Sequence, residues 1–154
     1  MTRDEFEATA PMIDHPVFLI LVSFPIACFS GALATDIAYA RTADFIWTDF
    51  SDWLLLVGIA FGALAAITGL IQLATTRRVL GRQPIWPFAI GSALVLILAF
   101  LDNLVHTHDA WTSVVPTGLA LSAVTVAAMF VTVVLGSAYG RRYSVVVKRP
   151  ERVL

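Results

Sequence analysis

Four apolar blocks, each about 20 residues or longer, constrain this chain more than any other feature. They run from about Val17 to Ala40, Trp53 to Ala74, Ile85 to Val105 and Pro116 to Tyr139, and each ends in polar, charged or Pro-containing sequence. At a rise of about 1.5 Å per residue, some 20 helical residues cross a hydrocarbon core of roughly 30 Å. The chain therefore reads as an all-α integral membrane protein with four spans, 17–40, 53–74, 85–105 and 116–139.

The composition agrees. Of 154 residues, 58% are hydrophobic and only 14% charged, where soluble domains carry roughly a quarter of charged residues. No soluble domain fits in what remains, so residues 1–154 form one transmembrane domain with tails at 1–14 and 141–154. The first block is read as a span rather than a cleavable signal. Its flank "MTRDEFEATAPMID" is acidic and its apolar stretch is too long for a signal core, although "ALATD" contains an Ala-x-Ala pattern.

Orientation follows from Lys and Arg in the short flanks. Arg77, Arg78 and Arg82 lie between the second and third blocks, and Arg141, Arg142, Lys148, Arg149 and Arg152 follow the fourth. The opposite side has Arg41 beside Asp44, Asp49, Asp52 and Asp109. Both termini are thus expected in the cytoplasm, with the chain a multi-pass protein of the bacterial inner membrane. A net charge of −1 argues against a nucleic-acid partner, and the basic tail suits orientation and contact with anionic lipid.

Helices in lipid pack through small residues that let backbones approach. Gly58, Gly62, Ala66 and Gly69 form such a stripe on the second span, Ala27, Gly31 and Ala38 on the first, and Ala128, Thr132, Gly136 and Gly140 on the fourth. These stripes are read first as intramolecular packing and second as an oligomer seam. Connections of about 10–12 residues favour antiparallel neighbours, an up-down-up-down four-helix bundle. Pro25 leaves the Leu21 carbonyl without its helical partner and predicts a kink, with Ser23 placed to help satisfy the freed group. Trp47, Trp53, Trp86, Trp111 and Tyr139 lie near span ends and read as headgroup anchors. Cys28 reads as a small buried apolar residue.

Few residues here can do chemistry, and ionisable groups inside a membrane are the first to weigh. Asp36 falls in the outward third of the first span, and "LDNLVHTHDAW" places Asp102, Asn103 and His106 at the outward end of the third, followed by His108 and Asp109. All share one level. Asp102 and His106, four apart, share a helix face, so the carboxylate can accept a hydrogen bond from the imidazole. His106, His108, Asp102 and Asp36 form the candidate metal set, since zinc or copper needs three or four such ligands. The competing reading, which is preferred, is an interfacial hydrogen-bond cluster that fixes helix register.

Haem b is the other use for histidines in a helical bundle. His15 lies at the inner end of the first span, about a membrane thickness (roughly 30 Å) from His106 and His108. A single chain cannot ligate one haem through both groups, which leaves ligation across two chains or by one histidine. Thr68 and Gln72, with His15, Arg77 and Tyr139, are read as interhelical hydrogen bonds and snorkelling side chains before an inner vestibule. The sequence shows no Gly-rich phosphate loop, no Ser/His/Asp or Cys/His constellation and no Cys-x-x-Cys, so no enzyme is expected.

Three stretches carry a family resemblance: "DHPVFLILVSFPIACFSGALATDIAY", "AAITGLIQLATTRRVLGRQPIWPFAIGSAL" and "VPTGLALSAVTVAAMFVTVVLGSAYGRRYSV". Together they resemble the bacterial domain-of-unknown-function 2231 family of four-span inner-membrane proteins. The first shares its opening His-Pro, its Phe-Pro and an acidic residue near the end of the span. The second shares its Gly-Leu-Ile, basic pair and Trp, and the third its last span and basic tail. The resemblance implies the four-span fold. That family often has further histidines where this chain reads Ser23, Phe88 and Tyr143, so haem or metal ligation through them does not carry over.

The functional expectation is a non-catalytic accessory or assembly subunit of a larger membrane complex, a redox complex among the candidates, held by lipid and by a partner complex or a second copy. The alternative is an electron-transfer membrane protein holding haem b or a transition metal at the outer His106/His108 cluster. A proton or small-solute path, with Asp36 and His15 as stations, is the third and least favoured.

Overall fold

The computed structural model describes residues 16–76, 86–107 and 114–147, with side chains over 17–71, 86–107 and 114–137. Within them the chain forms four long helices: α1 (Pro16–Thr42), α2 (Ile46–Thr76), α3 (Trp86–His106) and α4 (Leu119–Val147). The segments long and apolar enough to cross a membrane are Val17–Thr42, Ile46–Ile71, Trp86–His106 and Val114–Ser137, the last beginning in the turn that leads into α4. Helices are what lipid demands, because only they satisfy every backbone N–H and C=O within one segment, short of a closed barrel. Each helix packs on its neighbours in sequence, and α4 closes back onto α1. The result is an all-α four-helix bundle in cyclic order.

Ile46–Asp52, which hydropathy assigns to the first connection, belongs to α2. The α1–α2 turn is therefore only residues 43–45. Its geometry is set locally. Ala43 takes a left-handed conformation (φ 55°), its N–H bonded 2.8 Å to the Tyr39 carbonyl to close the end of α1. Asp44 Oδ1 then accepts the N–H of Ile46 at 3.1 Å, capping α2. Before α4 the chain makes a short wide turn, Val114–Gly118, in which Val115 is extended (φ −123°, ψ 121°), as a residue preceding proline tends to be.

Packing is inverted relative to a water-soluble bundle. Buried positions include Ala32, Ala65, Ala99, Ser51, Ser122, Thr125 and Thr132, while Leu, Ile, Val and Phe side chains such as Ile20, Leu70, Ile90 and Phe130 point outward. That arrangement is stable with lipid as solvent, where association depends on close backbone approach and interhelical hydrogen bonds. The glycine stripe on α2 faces inward. A Cβ on Gly58 would meet Phe29 Cε1 at 2.5 Å, and one on Gly62 would meet Leu96 Cδ2 at 2.6 Å. Gly136 is similarly covered by Phe88, and Gly91 by Thr132. These small-residue positions are occupied inside the bundle.

Helix α1 continues through Pro25. The Ser23 hydroxyl donates to the Ile20 carbonyl at 2.7 Å, not to that of Leu21, because the bond made is to the third residue back. Stacking of Phe24 on Phe61, centroids 4.2 Å apart, joins α1 to α2 nearby.

The core is layered. Phe29, Val95 and Met129, all buried, lie seven residues, or about two turns (roughly 10 Å), from Asp36, Asp102 and Ser122 on the same helices. Leu55, Ala32 and Ala99 complete the apolar cluster. A polar layer near one end of the bundle thus sits above an apolar one.

Candidate functional site: a buried carboxylate and histidine network

Each helix delivers one part of that polar layer. Asp36 lies six residues before the end of α1, Ser51 five after the start of α2, Asp102 and His106 in the last turns of α3, and Ser122 in the first turn of α4. In an antiparallel bundle these positions share one end. Asp36, Ser51 and Asp102 have no solvent exposure and Ser122 only 2%.

Asp36 is the hub. Its Oδ1 accepts from the Ser51 hydroxyl and faces His106 Nε2 at 2.9 Å. Its Oδ2 is hydrogen-bonded to Ser122. The same Ser122 Oγ lies 2.6 Å from Asp102 Oδ2, so one hydroxyl joins two carboxyl groups. Behind Ser51, its hydroxyl pairs with Thr35 Oγ1 at 2.7 Å. Four helices are tied together through one hydrogen-bonded set.

His106 is engaged on both sides of its ring. Nδ1 lies 2.9 Å from the carbonyl oxygen of Asp102, and that oxygen can only accept, so the nitrogen carries a hydrogen. Asp102 Oδ1 is 3.4 Å from the same nitrogen and has no hydrogen-bond partner of its own. The imidazole also packs over Gly118, where a Cβ would stand 3.0 Å from His106 Cε1. A bare α-carbon there leaves room for the ring. At the edge of the layer Asn103 Nδ2 donates to Asp52 Oδ1 at 2.9 Å, a separate α2–α3 link.

The structure thus brings together Asp36, Asp102 and His106 of the metal set expected from sequence. His108, Asp109 and His15 lie outside the described residues, as do Arg77 and the side chains of Gln72 and Tyr139. Thr68 makes only an intrahelical bond, to the Ala65 carbonyl at 2.9 Å. The i,i+4 pairing on α3 is present, but the imidazole hydrogen-bonds the backbone of Asp102, while its other nitrogen turns to Asp36. Among the described residues no group of three His, Cys, Asp or Glu side chains is placed to hold a metal ion. The reason is geometric: the two carboxyl groups face opposite nitrogens of one ring.

Sequence reasoning missed Ser51, Ser122 and Thr35. Isolated hydroxyl residues in apolar helices are common, and nothing in their spacing sets these apart. Level gave no signal either: Ser51 falls in the expected first connection, ahead of the span at 53–74, and becomes level with Asp36 and Asp102 only because α2 starts at Ile46.

The family described as "Predicted membrane protein (DUF2231)" matches residues 14–149, which includes every residue of the network. No curated protein and no solved structure matches the chain. Four apolar helices and a family match over most of the length lead to one assignment: the chain belongs to the DUF2231 family of membrane proteins.

Proposed function

We propose that this is a proton-binding protein of the bacterial inner membrane, with both termini in the cytoplasm, and that Asp36, Asp102 and His106 are its working centre. One observation carries the reading: three ionisable side chains, buried where four apolar helices meet, belong to a single hydrogen-bonded network. Intramembrane ionisable groups are costly, pair with one another and mark proton or ion sites. The apolar layer of Phe29, Leu55, Val95 and Met129 supports a site confined to one end of the bundle, rather than a continuous path with His15 at its far end.

Proton binding needs no substrate pocket and therefore suits a non-catalytic accessory subunit. Because Gly58, Gly62 and Gly136 are covered inside the bundle, attachment to a larger membrane complex would rest on the outer apolar surface and the basic tail. A second reading, a transition metal held by His106, His108, Asp102 and Asp36, has in its favour that three of the four residues belong to one network, and against it that the two carboxyl groups face opposite nitrogens of the ring. It requires His106 Nε2 to release Asp36. Haem b at His106 requires the same release.

The test is proton uptake by the protein in lipid nanodiscs after a pH step, read with an indicator dye, beside elemental analysis and oxidised and reduced absorption spectra. The expected result is an uptake step lost in His106→Gln and Asp36→Asn, without metal or haem. No uptake step, or a stoichiometric metal or Soret signal that disappears in His106→Ala, overturns the reading.

A further inference from the structure

We infer that the network holds two protons among Asp36, Asp102 and His106, and that Asp102 is a neutral carboxylic acid sharing the Ser122 hydroxyl with an ionised Asp36. The inference deepens the proton-binding reading and rests on it for its use. Its content comes from counting hydrogens.

Ser122 Oγ is hydrogen-bonded to Asp36 Oδ2 and to Asp102 Oδ2. A hydroxyl has one hydrogen to donate, and an ionised carboxylate only accepts. Two carboxylates facing one hydroxyl would leave one contact with no hydrogen in it, so one of the two must be protonated and donate to Ser122. The same count applies at the imidazole. With its Nδ1 hydrogen committed to the Asp102 carbonyl, the contact between Nε2 and Asp36 Oδ1 needs a second hydrogen, on the ring or on the carboxyl. The three groups together thus carry two protons beyond their fully deprotonated state, which makes the set neutral overall. An uncompensated charge buried in lipid would be far costlier.

The partners decide where the protons reside. Asp36 receives three contacts, from Ser51, Ser122 and His106, which is the environment of an ionised carboxylate beside an imidazolium. Asp102 has one hydrogen bond, with Ser122, and its buried Oδ1 has only a 3.4 Å approach to His106 Nδ1, whose hydrogen goes to the backbone carbonyl of Asp102. An unpartnered carbonyl oxygen of a neutral acid is cheaper to bury than one of a carboxylate. The hydrogens therefore run Asp102 Oδ2–H to Ser122 Oγ, Ser122 O–H to Asp36 Oδ2, Ser51 O–H to Asp36 Oδ1 and His106 Nε2–H to Asp36 Oδ1. A proton moves between the two carboxyl groups when Asp102 gives its hydrogen to Ser122 as Ser122 gives its own to Asp36. The hydroxyl is regenerated, and the negative charge passes from Asp36 to Asp102.

The surrounding groups are few. Helix α1 supplies Asp36, α3 supplies Asp102 and His106, and α2 has Asp52 one residue from Ser51, held by Asn103. From α4, Ser122 and Thr125 are buried in this region, and the Thr125 hydroxyl has no hydrogen-bond partner.

The test is infrared spectroscopy of the full chain in lipid nanodiscs, with aspartate 13C-labelled at the side-chain carboxyl carbon. At neutral pH we expect a carboxylic-acid C=O band that shifts with the label and in D2O. It is lost in Asp102→Asn, kept in Asp36→Asn and displaced in Ser122→Ala. No such band in the wild-type protein, which needs no variant to fold, overturns the inference, as does a band kept in Asp102→Asn and lost in Asp36→Asn. The two readings separate. A band without any proton-uptake step retains the inventory and removes the proton-binding function, whereas an uptake step without the band does the reverse.

Discussion

His106 Nε2 lies 2.9 Å from Asp36 Oδ1 across 70 positions of sequence, and both side chains are without solvent exposure. The contact joins α1 to α3, helices that are diagonal rather than adjacent in the bundle. A diagonal link fixes the rotation of both helices, because each must present one face to the axis.

Breaking that link should destabilise the bundle strongly. Asp36→Asn and His106→Gln are each expected to cost about 3 kcal/mol or more, as removing one partner of a buried ion pair does. The double variant should cost clearly less than the sum of the two, with a coupling of about 0.5–3 kcal/mol. Reversible unfolding in mixed micelles measures all four forms. Additive single effects would mean the two residues do not interact.

The Asn103–Asp52 link at the edge of the layer gives a contrast. Asn103→Ala should cost about 1 kcal/mol, the usual net value of one hydrogen bond, and leave proton uptake unchanged. The same unfolding and dye measurements check both points.

Four spans, their up-down order and the shared level of Asp36, Asp102 and His106 were legible in the sequence, because hydropathy and helical rise are one-dimensional properties. The site was legible only in part. Which nitrogen of His106 meets which carboxyl group depends on helix rotation, and the sequence has no marker for rotation apart from the small-residue stripes. Ser51 and Ser122 were illegible for a different reason. Each is a single hydroxyl whose role comes from a carboxyl group 15 or 86 positions away. The early start of α2 was hidden because Asp49 and Asp52 interrupt the apolar run, although Asp44 caps the helix ahead of them.

Gly58 tests the packing beneath the site. An alanine there would bring its Cβ to 2.5 Å from Phe29 Cε1 and 3.1 Å from Cys28 Cβ, and Phe29 is almost fully buried in the core. Overpacking of this kind costs about 1–3 kcal/mol, so Gly58→Ala should lower the thermal midpoint. An unchanged midpoint would show that α1 and α2 are not held this closely.

Ala43 should respond in the opposite direction. Its left-handed conformation is one that glycine adopts freely, at a saving of about 1 kcal/mol for a residue with a Cβ. The added freedom of the unfolded chain offsets part of that. Ala43→Gly is therefore expected to be neutral or stabilising by up to about 1 kcal/mol, read from the same unfolding curves.

Trp53 and Trp86 report on the lipid face. They are 66% and 73% exposed, Trp53 two turns into α2 and Trp86 at the start of α3, towards opposite ends of the bundle. Single-tryptophan variants keeping one or the other should be quenched by lipids brominated high on the acyl chain. Quenching by an aqueous quencher such as iodide, with none by brominated lipid, would contradict the placement of these ends at the headgroup layer.

The most direct test of the central claim is solid-state NMR on the protein in lipid bilayers, with 15N-histidine and 13C-aspartate. The account predicts a His106 ring with hydrogen on both nitrogens and a through-space correlation from Nε2 to the Asp36 carboxyl carbon, both assigned by their loss in His106→Gln. A neutral His106 ring with no correlation to Asp36 would contradict it.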